Sequence, residues 1–151
     1  MSIKSLFAGA CLMTLAAPAL AGGIALQAKV LKAEAVKGVA TERLVPAAKA
    51  VPGDAMVYVL AYRNEGAQPA SDVVINNPVP STMIYRGAGA GGEPEVSVDG
   101  THFARLSALT VANADGSSRP AKLAEVSHVR WHLDPIAAGA SGEVSFHAVL
   151  R

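Results

Sequence analysis

Four histidines, His102, His128, His132 and His147, are the side chains best suited to hold a metal ion or move a proton in this chain, because imidazole titrates near neutral pH and readily ligates transition metals. His128, Arg130 and His132 alternate with Val129, Trp131 and Leu133, so an extended strand would put the basic residues on one face and the apolar ones on the other. The same geometry keeps the two histidines apart. A rise of about 3.3 Å per residue separates His128 from His132 by about 13 Å, whereas one zinc ion needs both ring nitrogens about 2 Å away. A metal centre would have to join one of them to His147 on a neighbouring strand. The plainer alternative is a solvated His/Arg face. The single cysteine, Cys11, excludes a disulfide framework and a cysteine-based zinc site.

Other constellations point away from catalysis. Gly87-Ala88-Gly89-Ala90-Gly91-Gly92 has the small residues of a phosphate loop, but no Lys-Ser or Lys-Thr follows, and Glu93 and Glu95 would repel phosphate. It reads as a flexible connection. No glycine-flanked nucleophile elbow surrounds any serine, so neither a catalytic residue nor a cofactor site is expected. Trp131, between Val129 and Leu133, reads as core in preference to a sugar-stacking platform. With 13 Lys+Arg against 12 Asp+Glu, the net charge of +1 gives no electrostatic footprint for nucleic acid.

The elements that must position these residues are short. Turn signals recur at Pro52-Gly53-Asp54, Asn64-Glu65-Gly66, Asn76-Asn77-Pro78, Gly87–Gly92, Asp99-Gly100, Asp115-Gly116 and Gly139–Gly142. Such spacing fits an all-β antiparallel sandwich. Met56–Tyr62 is the clearest strand, with Met56, Tyr58, Leu60 and Tyr62 on one face. Its other face, Val57, Val59 and Ala61, is also apolar, which predicts cover on both sides, by an internal loop or by another subunit. Further strands are expected at 72–76, 82–85, 126–133 and 143–150, with a hairpin over 95–103 turning at Asp99-Gly100. Residues 25–50 suit a helix on propensity, yet Leu26, Ala28 and Val30 alternate. The reading taken is an extended edge strand over 25–33 and a second near 43–47.

Residues 1–21 have the form of a secretory signal peptide: Lys4, an uncharged run from Ser5 to Leu15, and the Ala19-Leu20-Ala21 triplet before the cut. The apolar run is shorter than the roughly 20 residues of a membrane span, so no stable membrane anchor is expected after cleavage. Loss of Lys4 leaves 12 basic against 12 acidic residues.

The run from Val51 through Pro52, Gly53, Asp54, Tyr58, Asn64 and Gly66 to Asn77, Pro78 and Pro80 resembles the bacterial and archaeal family catalogued as domain of unknown function 11. Those domains carry Pro-Gly-Asp before a strand with a buried tyrosine, an Asn-x-Gly turn after it, and Asp-Pro-x-Pro after the next strand. The resemblance extends to a closing strand over 138–146. Asn77 stands where the family usually has Asp, which removes the charge a cation at that turn would need. Many relatives are tandem arrays, whereas this chain carries one unit. The resemblance implies an exported immunoglobulin-like sandwich with no known reaction. The residues have structural jobs of their own: Pro52-Gly53 turns the chain, and Asp54 can accept from nearby amides.

The expected organisation is therefore a signal peptide (1–21), an extended segment (22–50) acting as edge or donor strand, and an immunoglobulin-like β-sandwich (51–151). The expected function is a non-catalytic structural or interaction module, periplasmic or at the cell surface or beyond it. It would bind a protein partner or itself, by donation of residues 25–33 to a neighbour's sheet. The alternative is a soluble periplasmic protein binding a small molecule or a metal through His102, His128, His132 or His147.

Overall fold

The computed structural model describes residues 23–36, 38 and 42–151. The expected signal peptide lies outside them. The described chain is all-β, with antiparallel sheets and only two short 3-10 turns, at Leu106–Ala108 and Leu123–Glu125. Among the described residues no helix is long and apolar enough to cross a membrane.

Ten strands form in chain order: β1 (Ile24–Ala35), β2 (Glu42–Pro46), β3 (Ala55–Asn64), β4 (Val74–Pro78), β5 (Met83–Ala88), β6 (Glu95–Ser97), β7 (Thr110–Ala112), β8 (Ser118–Pro120), β9 (His128–His132) and β10 (Ser141–Leu150). One sheet has the order β2-β1-β3-β10-β5, a second β4-β9-β6, and β7-β8 stand as a hairpin. The β-branched and aromatic run of β3 places it at the centre of the larger sheet. It pairs with β1 from Ile24↔Asn64 to Lys32↔Met56, and with β10 from Ser141↔Arg63 to Val149↔Ala55.

The two larger sheets meet through the alternate residues of their strands. Leu60, Val144, Phe146, Ala148 and Tyr85 from one layer bury against Ile75, Val96, Val129 and Trp131 from the other. Phe146 is the hub, fully buried, stacked on Tyr58 at 4.7 Å between ring centroids and 6.3 Å from the ring of Trp131. Trp131 is thus core, with its indole N–H unpartnered among the described residues. The period-two pattern that wrote these strands is the pattern of burial.

Three expectations need revision. Residues 25–33 are extended, and Ile24–Val30 pair with β3 alone and so form an edge as expected, whereas from Leu31 onward β2 takes over that edge. Residues 42–46 run back beside the end of β1 as a second strand, paired from Leu31↔Pro46 to Ala35↔Glu42. The 95–103 hairpin reduces to β6 and a single bridge, Val96↔Ala104. There the amides that would build the returning strand are taken by side chains, since Asp99 Oδ1 accepts from Thr101 N and His102 N, both at 2.8 Å. Finally, cover of β3's second face is uneven: Val57 is buried, whereas Val59 and Ala61 are half-exposed.

Candidate interaction surface

The proline and glycine motifs hold bends. Gly53 adopts φ +96°, open to glycine without strain, and its amide donates to Leu150 O at 2.8 Å. Asp54 accepts from Val51 N at 2.8 Å and from Lys32 Nζ at 2.9 Å, and the lysine contact, followed by the amide, lowers its pKa. This turn ties β1, β3 and β10 together at one end of the sheet. At the other end Asn64, 1% exposed, donates through Nδ2 to Gln68 O (2.8 Å) and Ile136 O (2.9 Å), while its Oδ1 accepts from Gly66 N (2.9 Å). Asn77 donates to Pro78 O at 2.8 Å within the edge strand β4, and Met83 N donates to Pro80 O at 2.8 Å in the turn before β5.

The histidines do not converge. His128, Arg130 and His132 share the outer face of the three-stranded sheet, as their alternation with Val129 and Trp131 requires. His147 lies on β10 beside Val57, on the outer face of the five-stranded sheet, so both layers stand between it and the other two. Each histidine has a local contact instead: His128 Nδ1 with Ser127 Oγ at 3.0 Å, His132 Nε2 with Glu95 Oε2 at 3.3 Å, and His102 Nδ1 with Asp99 Oδ2 at 2.7 Å. The His102 ring is the main cause holding the Asp99 carboxyl well below the usual carboxylate range. Arg130 Cζ lies over the Phe103 ring, 3.4 Å from its centroid, a contact the sequence did not disclose because a loop delivers Phe103. Among the described residues no group of three His, Cys, Asp or Glu is arranged to hold a metal ion.

The surface that stands out is apolar. The three-stranded layer covers β3, β10 and β5, and the larger sheet continues past it through β1 and β2. Leu26, Ala28 and Val30 pair with Tyr62, Leu60 and Tyr58 and therefore point to the core side of the sheet. Nothing among the described residues covers them, and Leu26 is 52% and Val30 37% exposed. Beneath this overhang runs the unpaired edge of β4. Ile24 and Leu26 form a groove of about 410 Å³ with residues 70–75, where Val74 is 47% exposed. On the opposite face, an open depression of about 490 Å³ lies over Ala25, Gln27, Ala61, Arg63, Ser141 and Glu143. Its rim has one arginine and one glutamate but no converging set of polar groups.

Alternation of Leu26, Ala28 and Val30 was visible in the sequence. Their exposure was not, because it depends on how many strands the opposing layer has. In comparisons with known proteins the chain matches no family model, no curated protein and no solved structure.

Proposed function

We propose that this chain is a non-catalytic, exported immunoglobulin-like module of the cell envelope or extracellular space that works by associating with protein. The observation that carries the reading is the overhanging strand β1, whose core-side residues Leu26 and Val30 face no second layer among the described residues, above the outer edge of β4. Exposed apolar sheet faces and unpaired edges mark places where another chain adds. The signal-like residues 1–21 and the Pro52-Gly53-Asp54 to Pro80 resemblance support export and the immunoglobulin-like assignment. The scattered histidines supply no reaction centre that would favour an enzyme.

Release of residues 25–33 as a donor strand is the less economical route to association. That segment is held by β3 from Ala25 to Lys32 and by β2 from Leu31 onward, so donation would break the β1–β3 ladder and part of the β1–β2 ladder. Addition onto the standing edge leaves both ladders in place.

The test is site-specific photo-crosslinking in cells, with the probe at Val30 and a control probe at Ser107 on the far side of the sandwich, combined with N-terminal sequencing of the exported protein. A defined protein adduct from Val30 alone, on a chain that begins at Gly22, is expected. An unprocessed chain retained in the cytoplasm, no adduct at Val30, or turnover of a substrate abolished by one polar substitution overturns the proposal.

A further inference from the structure

We infer that the partner contributes one extended segment of its own chain, which adds to the outer edge of β4 beneath the open half of β1, and that this segment is uncharged and apolar at every second residue, where it faces β1. The inference rests on the interaction-module reading and specifies how that partner is held.

The backbone of β4 selects the edge. Leu133 N donates to Val73 O and Val79 N donates to Ser127 O, so Ile75 and Asn77, in the same alternation, turn their backbone groups toward β9. Val74 and Asn76 therefore each present an N–H and a C=O away from the sheet. Among the described residues no strand meets them there. The free ladder has defined ends. Asp72, at φ +56°, turns the chain before it, and Pro78 has no N–H while its carbonyl accepts from Asn77 Nδ2 at 2.8 Å. An added strand would satisfy Val74 and Asn76 and stop there.

The pleat then fixes the side chains of the added segment. Its residues beside Val74 and Asn76 share their outward face, whereas those beside Ile75 and Asn77 point inward. About 10 Å above the inward ones lies the core side of β1, where Leu26, Ala28 and Val30 are all exposed. No charge stands on that side between Ile24 and Val30; the first is Lys32, which Asp54 already holds at 2.9 Å. A charged inward side chain would find no counter-ion along the stretch. An apolar one would cover Leu26 and Val30.

Two other arrangements fit less well. A strand added to the free edge of β1 would continue the larger sheet and leave Leu26, Ala28 and Val30 bare. The β1 edge of a second copy has the right apolar alternation, but from Leu31 onward that edge already carries β2. With only Ile24–Val30 free to lie along the five residues of β4, β2 would run into the chain that enters or leaves β4. A segment not built into a sheet of its own meets no such obstruction.

The probe is a capped heptapeptide of alternating valine and threonine, titrated to about 5 mM into the purified protein and followed by amide NMR and hydrogen exchange. Saturable binding with a dissociation constant of about 1 mM or below is expected, with exchange slowed at Val74 and Asn76 and unchanged along Ile24–Val30. Aspartate in place of each valine should weaken it about tenfold or more. Asn76→Pro removes an outward N–H that β9 does not use, and Leu26→Lys charges a position that is 52% exposed. Each variant, checked for folding by circular dichroism, should weaken binding about tenfold, and Ser107→Lys should not. The inference is overturned by no binding, by equal binding of the aspartate peptide, or by slowed exchange on the β1 edge instead. A dimer in sedimentation velocity that protects Val74 and Asn76 without peptide overturns it too. If Val30 still gives its adduct in cells, the module reading survives with another mode of attachment; if Val30 gives none, that reading fails as well.

Discussion

Replacing Asn64 with alanine should unfold the protein about 10 °C earlier. The side chain is 1% exposed and makes three hydrogen bonds, to Gln68 O, Ile136 O and Gly66 N. At about 1 kcal/mol net per bond the loss is about 3 kcal/mol, and the carbonyl of Ile136, a residue 6% exposed, has little access to water in compensation. For a domain of this size that corresponds to the stated shift. Asn64→Asp makes the test specific. It keeps the shape but presents a carboxylate to two carbonyl oxygens, so its folded pKa should rise above the ordinary value of about 3.9. The folded state then binds the proton more tightly than the unfolded state, and the variant should gain stability relative to the natural chain as pH falls toward and below its folded pKa. Thermal melts of all three proteins from pH 3 to pH 8 decide the matter. A loss below about 1 kcal/mol for alanine, or an aspartate variant with no relative gain in acid, would refute the assignment of Asn64 as the clamp between β3 and the 65–70 and 136–140 segments.

Phe146→Ala removes the ring shared by Tyr58, Tyr85 and Trp131, and chemical denaturation should register a loss of about 3–5 kcal/mol. Glu125 accepts from Arg119 Nη1 at 2.8 Å and from Lys122 N at 2.9 Å, contacts that lower its pKa to about 2. Its folded pKa is depressed, so its contribution is present above the unfolded value and lost as pH falls toward 2. Glu125→Gln should flatten that part of the stability profile in acid titration. Tyr85 is buried, and burial first, then the charge of Glu93, pushes its phenol up to about 12. Its hydroxyl has no hydrogen-bond partner among the described residues, so Tyr85→Phe should change stability at neutral pH by less than about 1 kcal/mol in either direction. The same substitution should reduce destabilisation between pH 10 and 12, read by alkaline melts.

The parts of this fold written locally were readable in advance. Met56 to Tyr62 and His128 to Leu133 announce their faces by alternation, and Phe146 and Trp131 fall where that alternation puts them. Position within a sheet is a different kind of information. How far along its length β1 stays an edge depends on residues 42–46 pairing with Leu31–Ala35, and the short periodicity of 25–33 contains no record of that. The hairpin of β7 and β8 turns at Asp115-Gly116, which was recognised as a turn, but its three-residue arms are too short for a pattern to show. Asn64 was recognised as part of an Asn-x-Gly turn, while its bond to Ile136 spans 72 residues. The candidate surface follows the same division: its apolar residues were legible, and the missing strands opposite them were not.

The last strand of the chain occupies an inner lane of the larger sheet, between β3 and β5. A ribosome releases residues in order, so until β10 emerges β3 has only β1 for company and Phe146 has yet to arrive. The two layers therefore cannot close before β10, Ser141–Leu150, is in place. Loss of β10 would strip β3 and β5 of a shared neighbour and the core of Phe146 at one stroke, whereas loss of the first residues of β1 would leave that pairing standing.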